Sequence, residues 1–113
     1  DRGVRGERDR AQLVTRGASR SIVVGVCQLE FHLPMCRNLK HKRMFVNRIK
    51  GRLASRFNVA VAEVEFQELW QRVGLAVVSV SNDRRVLEAL FEKVIQEAER
   101  HDGQLLRCEV AYQ

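Results

Sequence analysis

Six segments with a regular hydrophobic pattern, separated by short breaks, constrain the fold of this chain more than any other feature. Three of them alternate apolar and polar residues with a period of two, which predicts β-strands over 22–33, 58–67 and 104–112. The segment over 71–80 is the most apolar, which predicts a central strand. Two longer segments place apolar residues three or four positions apart, which predicts helices over 39–56 and 82–100. The predicted order of elements is therefore β-α-β-β-α-β.

This order is typical of an α+β fold of the ferredoxin-like βαββαβ type, with two helices on one face of a four-stranded antiparallel sheet. The right-handed crossover rule favours the strand order 4-1-3-2. Cys27 and Cys108 then lie on neighbouring strands with core-facing parity, which predicts buried packing thiols rather than a redox pair. In the second strand the alternation predicts that Ala60 and Ala62 face the core, and that Val59 and Val61 lie on the uncovered face of the sheet.

The chain of 113 residues is long enough for one domain, and its composition changes near residue 21. Residues 1–21 are rich in arginine and lack apolar periodicity, which predicts a flexible N-terminal arm before a single domain over 22–113. The three cysteines form no CxxC pair, and no apolar segment approaches the roughly 20 residues of a membrane span. We therefore expect a cytoplasmic protein without disulfides, zinc or membrane contact.

The basic residues are concentrated in the first predicted helix. Residues 37–56 contain eight basic and no acidic residues, within a chain of net charge +6. This asymmetry favours a polyanionic partner, and the helical spacing places Lys40, Arg43 and Lys50 on one ridge. The predicted nucleic-acid-binding residues are Arg37, Lys40, Lys42, Arg43, Arg48, Lys50 and Arg52. The alternative is a solvated helix face that keeps the protein soluble.

Two further groups of residues are candidates for sites. Trp70 and Arg72, in and after the connection between the second and third strands, are predicted to bind a partner, although a tryptophan that closes the edge of the core is commoner. Glu30 with His32, and Glu63 with Glu65, are predicted to point to the open face of the sheet. Because their spacing matches no metal-binding motif, we expect no metal or other cofactor.

No catalytic motif is visible in the sequence. The chain lacks a P-loop, GxGxxG, GxSxG and the GxxG loop of KH domains. The third strand carries no aromatic residues, so the stacking platform of an RNA-recognition motif is missing. Whether the protein is an enzyme stays open, with no small-molecule substrate evident and only His32 or Cys36 as catalytic candidates.

Three stretches of the sequence together resemble one bacterial family. They are VGVCQLEFHLPMCRNLKHKR (24–43), RFNVAVAEVEFQELWQR (56–72) and VVSVSNDRR (77–85). They are similar to the YlxP-like family, catalogued as domain of unknown function number 503, over residues 22–112. The sequence departs from the family pattern at Met35 and Asn38, where a glycine and a serine are usual. The resemblance implies a ferredoxin-like domain in a bacterial cytosolic setting, often encoded beside transcription-termination, translation-initiation and ribosome-maturation factors, and no established catalytic activity.

These observations lead to two functional hypotheses. The first is a noncatalytic accessory protein that binds structured RNA or a ribosomal particle through the basic helix. The alternative is a homo-oligomeric protein-interaction module, such as a homodimer, with no nucleic-acid role. In that case the second or fourth strand pairs edge to edge, or the open sheet face with Val24, Val26, Val59 and Val61 packs against a partner.

Overall fold

A computed structural model describes residues 21–113, so the predicted arm over residues 1–21 lies outside the described residues except for Ser21. The elements follow the predicted order, and each boundary agrees with the prediction within two residues. They are β1 (Val23–His32), α1 (Leu39–Arg56), β2 (Ala60–Glu65), β3 (Arg72–Ser81), α2 (Arg84–Ala98) and β4 (Gln104–Tyr112).

The four strands form one antiparallel sheet in the order β2-β3-β1-β4, which is the predicted order counted from the other edge. The two longest strands, β1 and β3, pair along their whole length in the centre, from Val23 opposite Ser81 to His32 opposite Arg72. The predicted ferredoxin-like α+β fold is therefore confirmed. Its two edges are β2 and β4.

The core lies between one face of the sheet and both helices. The inward parity of β1 and β3 and the apolar stripes of the helices are almost fully buried together. Phe31 of β1 meets Phe45 of α1 edge to face, with ring centroids 5.5 Å apart. Gly25 leaves the space that the ring of Phe91 occupies, since a Cβ at this position would lie 2.6 Å from that ring.

Two expectations about residues of the edge strands are wrong. Cys27 is buried, but Cys108 is exposed although it has the predicted core-facing parity, because β4 is an edge strand of which only Leu105 and Tyr112 are half-buried. In β2 the parity is the reverse of the prediction. Val61 lies opposite the buried Val77 and packs against the core, together with Val59. Ala60 and Ala62 lie on the open face instead.

Each helix begins at a polar cap that the sequence supplies. The side chain of Asn38 accepts a hydrogen bond of 2.9 Å from the backbone N–H of His41 at the start of α1. Asp83 accepts one of 2.9 Å from the backbone N–H of Arg85 at the start of α2. Asparagine is as good an N-cap as serine, so the departure from the family pattern at Asn38 leaves the start of α1 intact.

Candidate nucleic-acid interface

The basic residues of α1 are displayed by the packing of its opposite side. Phe45, Val46, Ile49 and Leu53 are buried against the sheet, and most of the remaining helix surface faces solvent. Five cations of this region have no carboxylate partner among the residues of 21–113. We call them the basic face: Arg37, Lys40, Arg43, Arg48 and Lys50. Lys50 is half-buried and the other four are exposed.

Lys42 does not belong to the basic face. Its side chain is 2% exposed and points under the helix, where Nζ lies 2.9 Å from Oε2 of Glu63 and donates to the carbonyl oxygen of Phe66 at 2.5 Å. Glu63 therefore faces α1 rather than the open side of the sheet, which corrects the prediction for this residue. A buried ammonium with two oxygen partners is satisfied within the protein and is not available to a phosphate.

Arg52 is also engaged within the protein. Its Nε lies 3.0 Å from Oε2 of Glu97, and Nη1 of Arg56 lies 2.9 Å from the other carboxylate oxygen. Burial favours the protonated form of Glu97, but the hydrogen bond from Arg52 and the charges of both arginines outweigh it and hold the pKa of this carboxyl below its ordinary value. Arg52 thus joins α1 to α2, although about half of its side chain remains exposed.

The pairing of Glu97 predicts a pH dependence of stability. Folding lowers the pKa of Glu97, so the charged carboxylate stabilises the native state above the unfolded pKa. This stabilisation is lost as the pH falls from about 5 through the lowered pKa. We expect Glu97→Gln to be less stable than the wild type at neutral pH and to lose less stability on acidification. Urea unfolding midpoints at a series of pH values from neutral to acidic measure the slope of stability against pH for each protein. Parallel slopes for the two proteins would contradict this role.

The two predicted partner-binding residues in and after the connection between β2 and β3, Trp70 and Arg72, differ in whether their side chains are engaged within the protein. Trp70 is 49% exposed beside the equally exposed Leu69, so it does not close the edge of the core. Arg72 is bound within the sheet by an ion pair to Glu30, and its guanidinium lies 4.5 Å above the ring of Phe66. Trp70 is available to a partner, and Arg72 holds the hairpin together.

A side-chain bridge brings this connection close to the start of α1. Nε2 of Gln71 donates to the carbonyl oxygen of Cys36 at 3.1 Å and to that of Pro34 at 3.4 Å. The loop that carries Arg37 is thereby fixed against the turn that carries Trp70. The structure thus places an exposed aromatic side chain beside the end of the basic face where α1 begins.

The sequence analysis missed two methionines beside the basic face. Met35 and Met44 are exposed and line, with His41 and Arg48, a cleft of about 150 Å³. Met44 lies outside the apolar stripe of α1, and this is the signal that could have identified it. Flexible thioether side chains adapt well to irregular partner surfaces.

His32 and Glu30, which were considered as catalytic or metal-binding candidates, contact other side chains of the sheet. Nδ1 of His32 lies 3.2 Å from Oε1 of Gln104, and Glu30 contacts Arg72 and Arg107. Within 21–113 no group of three or more His, Cys, Asp or Glu residues is placed to hold a metal ion.

The two buried thiols are poor nucleophiles. Burial and the nearby Cys108 raise the pKa of Cys27 to about 12. Burial also raises the pKa of Cys36, against the opposing effect of Lys42 and Arg48. Neither helix of the described part of the chain is long and apolar enough to cross a membrane.

Comparisons with known proteins identify a family for most of this sequence. Residues 24–110 match the model of a family described as "Protein of unknown function (DUF503)". The chain is also similar to a protein of Bacillus subtilis (strain 168) described as "Uncharacterized protein YlxP". The two sequences are 30% identical over 73 residues, which is 65% of this chain and 79% of the relative. Neither description assigns an activity.

Proposed function

The chain belongs to the DUF503 family of YlxP-like proteins, and we propose that it is a noncatalytic accessory protein that binds structured RNA or a ribosomal particle through its basic face. The observation that carries the proposal is a set of five cations on and just before one helix, of which four are exposed and none has a carboxylate partner within residues 21–113. Arginine and lysine side chains bind phosphate groups and position a protein on nucleic acid without reading its sequence.

The distribution of charge supports binding through one face. Residues 37–56 carry eight positive charges, whereas residues 57–113 carry six basic and ten acidic residues. A polyanion approaching the protein is therefore attracted to α1 and repelled by much of the remainder. Such steering orients the protein on a folded RNA before any short-range contact forms.

The surroundings of the basic face favour RNA over a simple polyanion. Trp70 is exposed near the start of α1, and an exposed aromatic ring can stack on an unpaired base. Unpaired bases occur in the loops and bulges of structured RNA but not in a regular DNA duplex. The translation-related setting implied by the family resemblance agrees with this choice.

Fluorescence anisotropy over a salt series tests the proposal. The full chain is titrated into a labelled structured fragment of ribosomal RNA, with duplex DNA and a polyacidic peptide as controls. We expect micromolar or tighter binding that prefers the RNA, with a log–log salt slope corresponding to about three or more phosphate contacts. Absence of binding at low salt would contradict the proposal, and equal affinity for the acidic peptide would indicate a protein partner instead.

A further inference from the structure

The face of the sheet that the helices leave uncovered is apolar toward one end. Strand register places eight valine and alanine side chains on it, which we call the apolar patch: Val24, Val26, Ala60, Ala62, Ala76, Val78, Val80 and Ala111. They are neighbours across all four strands, since Val26 lies opposite both Val78 and Ala111, and Val78 lies opposite Ala60. Val80 is 57% exposed. A contiguous apolar surface of this kind marks an interaction site.

The other end of the open face carries charged side chains, most of which are joined by ion pairs. Glu30 contacts both Arg72 and Arg107, and Arg107 also contacts Glu109 at 2.6 Å. Glu65 also lies on this face, so the face carries three acids and two bases, a net charge of −1, in contrast to the net charge of +6 of the whole chain. Two copies of such a basic protein repel each other most strongly at α1 and least at this nearly neutral face.

The size of the open face suits an interface between two copies. The four strands contain 10, 6, 10 and 9 residues, and at about 3.3 Å per residue and a strand spacing of about 4.8 Å they give a surface of about 550 Å². A standard interface takes about 800 Å² from each partner, so the face supplies most of that area. Small side chains also allow two sheets to pack flat against each other at about 10 Å.

We propose that the open sheet face is a homodimer interface, in which the apolar patches of two copies pack face to face. The partner is a second copy because this face carries little net charge, unlike α1, and its small apolar side chains let the same surface pack against itself across a two-fold axis. This arrangement leaves α1 of each copy on an outer surface. The inference is independent of nucleic-acid binding, since it uses none of the residues of the basic face.

Three matched substitutions of valine by glutamate test the interface. Val80→Glu places a charge in the apolar patch, Val86→Glu places one at a 55% exposed position on α2, and Val110→Glu places one on the free edge strand β4. Their masses are measured by light scattering coupled to gel filtration, with the full chain at high salt after nuclease treatment. High salt and nuclease remove any assembly held together by nucleic acid.

We expect the wild type to have twice the 13.0 kDa mass of one chain, Val86→Glu and Val110→Glu to keep that mass, and Val80→Glu to have the mass of one chain. Ala62→Glu, also on the open face, gives the same result through a second position if Val80→Glu fails to fold by circular dichroism. A wild type that stays monomeric at about 100 μM, or a face variant that stays dimeric, would overturn the proposal. Dissociation by Val110→Glu alone would overturn it in favour of pairing between β4 edges.

Discussion

Replacement of Lys42 by methionine is expected to lower the free energy of unfolding by about 3 kcal/mol, because it leaves the partner charge of a buried ion pair uncompensated. Lys42 is 2% exposed and bonds both Glu63 and the carbonyl oxygen of Phe66. Without the ammonium, a largely buried carboxylate and a backbone carbonyl lose their partner together. In a domain of this size the change corresponds to a fall in melting temperature of about 15 °C.

A matched control and a double variant separate this effect from the simple loss of a basic residue. Lys40→Met makes the same substitution two positions earlier on the exposed side of α1, and we expect its stability to change by less than about 0.5 kcal/mol. Lys42→Met combined with Glu63→Leu removes both charges, and we expect it to recover much of the lost stability. Urea denaturation measures all three variants. Equal midpoints for Lys42→Met and Lys40→Met would show that the pair contributes nothing.

The contacts of Lys42 connect two of the three stretches on which the family resemblance rests. Lys42 belongs to the first matching stretch, and Glu63 and Phe66, which it contacts, belong to the second. The second stretch also contains Gln71, whose side chain reaches back to Cys36 in the first. These contacts fix the loop before α1, and α1 itself, against the β2–β3 hairpin.

The order of the elements and the strand order could be predicted from the sequence because they follow from local periodicity and one rule of chain handedness. The core parity of β1 was predicted correctly, since Cys27, Leu29 and Phe31 are all buried. Edge strands were harder to predict. Alternation along β2 does not tell which parity the helices cover, and so Val61 was assigned to the wrong face. In β4 the parity of Cys108 was predicted correctly, but alternation does not show how far the helices cover an edge strand, and Cys108 is exposed.

The basic helix was predicted correctly, but two of the residues assigned to its binding face are engaged within the protein. Sequence spacing identifies a basic helix, but a charged residue can also occupy the buried stripe when an opposite charge faces it. Lys42 lies three positions before Phe45, and Glu97 lies three positions after Val94, so both fall on the buried sides of their helices. Their partners, Glu63 and Arg52, come from distant parts of the chain, and only the tertiary structure identifies them.

The largest functional effect is expected from removing three cations of the basic face together. In Lys40→Ala/Arg43→Ala/Lys50→Ala the helix keeps its buried stripe and its Asn38 cap, so the fold is retained. Each lost phosphate contact lowers the log–log salt slope by roughly 0.7 to 0.9, so three contacts lower it by roughly two to three. Affinity for the RNA fragment at low salt is expected to fall on the order of 100-fold.

The matched control removes the same number of charges from the other helix and the turn that follows it. Arg85→Ala/Lys93→Ala/Arg100→Ala changes the net charge equally, but these three residues lie outside the basic face. If long-range attraction alone governed binding, both triple variants would weaken it to the same extent. We expect the control to keep most of the affinity and nearly the wild-type salt slope, because direct phosphate contacts act at the basic face. An unchanged slope in the α1 variant would place the contact elsewhere on the protein.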